Sequence, residues 1–227
     1  MILEVVVDSL VSALAAQEGG ADRLEVCVNL AEGGLFPSAG LIRDIRERVT
    51  IPIHVMIRPR QGNFTYLDSE YAIMKDQILI ARESGADGVV FGMLDEKGEV
   101  DRRTKDLVDF AAPLSATYHR AFDESREPLK ALDAIIVAGA RWLLTSGQKV
   151  TAWEGRELIR DLVKKSGKKI GIIAGAGVDR TNAKELLEAT GVREIHVARG
   201  VRNPINGQVE AAVVKSLNGL VNRYENT

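Results

Sequence analysis

The sequence predicts an α/β chain folded as a single (β/α)8 barrel of TIM type, with a parallel eight-stranded core. Three observations carry that reading. Four segments share one layout: GGADRLEV at 19–26, SGADGVVF at 84–91, AGARWLLT at 138–145 and TGVREIHV at 190–197. Each reads as a helix end, a glycine, a short turn and then an apolar strand, and glycine suits that place because no Cβ opposes a left-handed conformation. Further apolar, β-branched runs fill the intervals, so eight strands alternate with helical patterns. No composition shift, charge block or Pro/Ser-rich linker breaks the 227 residues, so 1–227 reads as one domain. An open doubly wound sheet is the alternative, and it gives no reason to repeat in quarters.

The elements follow in order. ILEVVV (2–7) is the first strand and feeds the helical pattern DSLVSALAAQEGG; RLEV within the first repeat is the second strand. IPIHVMI (51–57) opens into the long loop PRQGNFTYLD and then the helical SEYAIMKDQILIARESG. The second repeat supplies strand four, SATYH (115–119) strand five and the third repeat strand six. KIGIIA (169–174) runs into the glycine-rich AGAGVDRTN, with a helix start expected at Asp179. EIHV is strand eight, and a short helix near AAVVKSLNGLVNRY closes the ring.

Composition narrows the function. With 45% hydrophobic and 27% charged residues the chain can bury a full core. A net charge of -2 supplies no basic field for nucleic acid. No apolar run approaches the roughly 20 residues that cross a bilayer, and the N-terminus lacks the features of a signal peptide, so no membrane partner and a cytoplasmic location are expected. The one cysteine, Cys27, fits a reducing compartment. Its thiol is reactive, metal-binding or merely packed.

Barrels of this kind carry chemistry on the loops after the strands, and here those ends are polar. Strand alternation turns Leu3, Val5, Leu24, Val26, Val55 and Ile57 toward the helices, and Glu4, Glu25, Cys27, His54, Met56 and Arg58 into the barrel; His196 points inward by the same counting. Buried charge demands partners, so Glu4, Glu25 and Arg58 either pair as a structural layer or meet a ligand. Arg58 and Arg60 flank a proline in a loop suited to gripping a carboxylate or phosphate, with a plain surface role open for Arg60. TYHRAFDES (117–125) offers His119 as an acid/base group oriented by Asp123, with Glu25 as a second proton carrier and Arg120 binding an anion. In the alternative Asp123 only caps the next helix. Ser146, at the end of strand six, is a further ligand-binding candidate without the G-x-S-x-G setting of a nucleophile. Gly175 and Gly177, with Gly200 after strand eight, form a candidate phosphate turn, although Asp179 as an N-cap disfavours an anion there. TAWE at 151–154 reads as a capping box.

RLEVC, GGLFPS, VMIRPRQGNF, ADGVVFGMLD, YHRAFD, LTSGQK, AGAGV and EIHV, in this order, resemble the CutC family, named for copper homeostasis, across almost the whole chain. The resemblance implies a TIM-type barrel, a cytoplasmic location and a role in copper tolerance with copper, as Cu(I), bound. The chain departs from the pattern where copper matters. Val6 and Val7 stand where several relatives carry cysteine, and Gln61 and Asn63 replace the more usual glycine and aspartate. Cu(I) prefers thiolate and thioether ligands, so Cys27 is the metal candidate, with Met56 and His54 or His119 beside it. A homodimer sharing Cys27 across an interface would supply a second thiol. Copper handling is thus the expected function, with a lyase- or isomerase-type enzyme on a small anionic, phosphorylated or sugar-derived molecule at the C-terminal face of the barrel as the alternative.

Overall fold

Residues 1–225 are described by a computed structural model, with side chains through residue 222. The strands are β1 (Ile2–Val7), β2 (Arg23–Val26), β3 (Ile53–Met56), β4 (Gly88–Phe91), β5 (Ser115–Tyr118), β6 (Trp142–Thr145), β7 (Gly171–Gly175) and β8 (Glu194–Val197). Each pairs parallel to the next, and β8 pairs back with β1, closing the barrel in sequence order. Helices α1 (Leu10–Glu18), α2 (Ala39–Arg48), α3 (Asp68–Glu83), α4 (Arg103–Ala111), α5 (Pro128–Ala138), α6 (Arg156–Ser166), α7 (Ala183–Thr190) and α8 (Ala211–Glu225) alternate with them.

Local chemistry sets the boundaries. Ser9 and Ser38 cap α1 and α2 by accepting from Ser12 N and Leu41 N, both at 3.2 Å. Pro128 opens α5, where its missing N–H costs nothing. The four repeat glycines all take positive φ: 87° at Gly20 and Gly85, 88° at Gly139 and 72° at Gly191. The conformation expected from their place after a helix is the one observed.

Strand alternation divides the apolar residues into two sets. Leu3, Val5, Leu24, Val26, Val55 and Ile57 join helix residues such as Ile42 and Leu107 in the main core between sheet and helices. Val6, Cys27, Met56 and Val90 form a separate small cluster. They share the inward parity, so they fill the barrel itself. Large inward rings on β3 and β6 face bare glycine on the next strand: a Cβ on Gly88 would lie 2.6 Å from the His54 ring, and one on Gly171 2.6 Å from Trp142 Cδ1.

Three boundaries differ from expectation. α8 is a full 15 residues rather than short. α7 begins at Ala183, not Asp179, because polar side chains build an intervening turn: Asp179 Oδ1 accepts from Thr181 N at 2.7 Å and Asn182 Oδ1 from Asp179 N at 3.1 Å. The reciprocal box of TAWE forms, with Glu154 N donating to Thr151 Oγ1 at 3.2 Å and Thr151 N to Glu154 Oε2 at 3.1 Å, but it closes a lone turn ahead of α6.

Candidate active site

The barrel floor is a charge network. Arg23 donates from Nε to Glu4 Oε2 at 2.5 Å and from Nη2 to Glu194 Oε2 at 2.7 Å. Trp142 Nε1 donates to the other Glu194 oxygen at 2.7 Å, and the Arg23 guanidinium lies 4.7 Å over the Trp142 ring. Glu4 Oε1 is 2.7 Å from His196 Nδ1, so both its oxygens are taken. Burial would raise the Glu4 pKa, but the charges of Arg23 and His196 outweigh it and hold the carboxyl well below its usual range. Register explains the meeting, since Glu4 stands level with Arg23 on one side and His196 on the other.

Above this floor, at the C-terminal ends of the strands, opens a cavity of about 770 Å³. Val6, Glu25, Cys27, Met56, Leu144 and His196 form its base. Arg58, Phe64, His119 and Arg120 line one wall, and the turns after β7 and β8 the opposite one.

Glu25 is the odd group at the base. It is 3% exposed, and its Oε2 is buried with no hydrogen-bond partner. Burial, reinforced by the Glu4 charge and opposed by His196 and Arg23, pushes its pKa up to about 7. His196 moves upward too: burial pulls it down, but Glu25 and Glu4 more than offset that. A carboxyl that titrates near neutrality thus sits beside an imidazole whose Nδ1 is fixed on a buried carboxylate. That is the make-up of an acid/base pair.

His119 and Asp123 do not make the expected pair. His119 Nδ1 accepts from Ala121 N at 3.1 Å, which places the proton on Nε2. That Nε2 is buried without a partner. Burial, then the charge of Arg58, lowers the His119 pKa to about 3, so the ring is neutral. Asp123 instead organises the loop after β6, accepting from Thr145 Oγ1 at 2.5 Å, Ser146 N at 3.0 Å, Gln148 N at 3.1 Å and Arg120 Nε at 2.8 Å. It caps no helix.

The predicted residues therefore separate. Glu25, Arg58, His119, Arg120, Cys27 and Gly177 line the cavity. Glu4 lies beneath it in the network. Ser146 is buried behind the wall, accepting from Arg120 Nη2 at 3.0 Å. Gly175 leaves room for Leu144, whose Cδ1 would lie 2.7 Å from an added Cβ. Arg60 lies outside the cavity: it pairs with Glu70 at 2.5 Å, donates to Asn63 O at 2.9 Å and Thr65 O at 2.8 Å, and so ties its own loop together. Arg23, Glu194 and Trp142 were not singled out from sequence. Each shares inward parity with a residue that was, and that parity was the available signal.

The soft donors at the cavity base are few, the Cys27 thiol and the Met56 thioether. Cys27 is 1% exposed, and burial, then the charges of Glu25 and Asp8, push its thiol well above the usual value, away from thiolate. It packs with Val6, Met56 and Val90 inside the barrel rather than on an outer face. Among the described residues, the one group of three His, Cys, Asp or Glu side chains close enough to hold an ion is Glu4, Glu25 and His196, with ligand atoms within 4.8 Å of one another. Two of those three are carboxylates, which suit Cu(I) poorly, and Glu4 is already engaged by Arg23 and His196.

A family model described as "CutC family" matches residues 1–201. A CutC family protein of Vibrio vulnificus is 46% identical over 199 residues, covering 86% of this chain and 80% of the relative. One from Xanthomonas campestris pv. campestris is 44% identical over 212 residues, covering 93% and 88%. Among solved structures, a candidate copper homeostasis protein CutC from Streptococcus agalactiae superposes with TM-score 0.82 at 31% identity, covering 86% of this chain and 97% of that one. A thiamine phosphate pyrophosphorylase from Pyrococcus furiosus, at 20% identity and TM-score 0.67, covering 98% and 96%, shares the fold alone.

Proposed function

The chain belongs to the CutC family, and on that premise we propose that its barrel is an enzyme of lyase or isomerase type, moving protons on a small anionic molecule in the C-terminal cavity. One observation carries the reading: Glu25, a buried carboxyl with an unpartnered oxygen and a pKa near 7, lies at the cavity base beside the Glu4–His196 pair. In its ionised form Glu25 takes a proton from a substrate C–H. The electron pair released forms the new double bond, and the leaving oxygen takes a proton from His196. Glu4 fixes the His196 ring and stabilises its charge, so it acts as a positioning residue. Among the described residues no helix is long and apolar enough to cross a membrane; the single thiol fits the cytoplasm as the place of action.

The test is a thermal-shift screen of phosphorylated and carboxylated sugar derivatives, followed by deuterium exchange into each stabilising compound in D2O. Exchange in wild type that Glu25→Gln abolishes supports the reading; exchange unaffected by that change sinks it. Copper handling, the role the family's name carries, is the other reading. Anaerobic Cu(I) titration separates the two: the buried, protonated thiol predicts no stoichiometric site, and tight binding lost in Cys27→Ala restores copper.

A further inference from the structure

We propose that the cavity holds an oxyanion, a carboxylate or a phosphate group, on its β3–β5 wall, between the guanidinium of Arg58 and the Nε2–H of His119. The inference rests on the cavity being a substrate site and names the part of the substrate that is gripped.

Arg58 is 5% exposed and has no carboxylate within ion-pair distance among the described residues. Its hydrogen bonds run to backbone carbonyls: Nη1 to Glu32 O at 2.6 Å and Gly34 O at 3.2 Å, Nη2 to Gly62 O at 2.9 Å. Carbonyls satisfy N–H groups without neutralising the charge. Of the guanidinium's five protons, one on Nη2 and the one on Nε remain, and Nε is buried without a partner. A buried cation lacking a counter-charge is costly, and an anion relieves that cost.

His119 supplies the second donor. Because Nδ1 accepts from Ala121 N, Nε2 carries the proton, and it too is buried and unpartnered. Its neutrality, with a pKa near 3, means that the donor persists at any ordinary pH. The Phe64 ring packs against both groups, 5.0 Å from the Arg58 guanidinium and 4.9 Å from the His119 ring, and so brings them to one wall. Burial raises the Tyr66 pKa while the charge and hydrogen bond of the neighbouring Arg58 oppose it, so this hydroxyl sits against the guanidinium. Other places suit an anion less. Arg120 is already paired with Asp123 at 2.8 Å, and Asp179 puts a carboxylate on the β7 side of the cavity.

Calorimetric titration of the protein with sodium acetate and, separately, with inorganic phosphate at matched ionic strength tests the site. The expected result is saturable one-to-one binding of one or both, with a downfield shift of the His119 Nε2–H resonance. His119→Phe, which keeps a ring but removes the donor, weakens binding about tenfold or more, as does Arg58→Lys. Acetate binding alone marks a carboxylate ligand, phosphate binding alone a phosphorylated one. No saturable binding of either, or wild-type affinity in His119→Phe, overturns the proposal. Glu25→Gln separates it from the enzyme reading: it retains anion binding, so anion binding without proton exchange in any ligand leaves the site standing and removes the enzyme.

Discussion

At the scale of residues, the site turns on which groups are paired. Asp123 is saturated by donors, His119 rests on a backbone N–H, and Glu25 has an oxygen with no partner. Sequence placed all three on the correct face but matched them wrongly, because hydrogen-bond partners depend on loop geometry that spacing does not encode. The raised Glu25 pKa has a stability consequence with a definite sign. Between its ordinary value of 4.5 and about 7 the folded state holds a proton that the unfolded chain releases, so stability falls as pH rises through that window. The raised His196 acts in the same sense, its contribution being lost as pH rises through its folded value. Wild type should lose about 1–3 kcal/mol between pH 5 and 8, a loss that Glu25→Gln largely removes. Urea midpoints across that range measure it, and parallel pH profiles for the two proteins would contradict it.

At the scale of elements, small residues create the room that the site occupies. A Cβ on Gly92, just after β4, would lie 2.5 Å from His119 Nδ1 and 2.9 Å from Ala121 Cβ. Gly92→Ala should therefore displace His119, destabilise the fold by about 1–3 kcal/mol and weaken acetate or phosphate binding beyond that of wild type. Melting curves and the anion titration check both parts. The loop after β6 depends on Asp123, whose removal leaves Ser146 N and Gln148 N without their acceptor. Asp123→Ala should cost about 2–5 kcal/mol while leaving the His119 Nε2–H resonance in place, the reverse of what an acid/base pair requires. The strands, the repeat glycines and the inward parity of Glu25, His54 and His196 were legible, because strand period and helix ends are local properties. The start of α7 was not, since Asp179 and Asn182 trade hydrogen bonds in a turn that a capping rule reads as a helix.

At the scale of the whole molecule, closing the ring makes one polar axis of residues far apart in sequence: Glu194 and Trp142 below, Glu4, Arg23 and His196 between, and Glu25 at the cavity base. Family membership came through in the sequence because its motifs lie at the strand ends, whereas this axis exists only once β8 joins β1. Arg23→Ala strands Glu4 and Glu194 and should cost about 3–5 kcal/mol, lowering Tm by on the order of 10 °C. A smaller loss would mean that water already reaches the floor. The account as a whole depends on the protonation of one carboxyl inside that barrel. Its most direct test is a 13C NMR titration of glutamate-labelled protein, with the Glu25 side-chain carboxyl assigned by its absence in Glu25→Gln. A midpoint near 7 is predicted; titration in the ordinary carboxylate range, near 4.5, would contradict it.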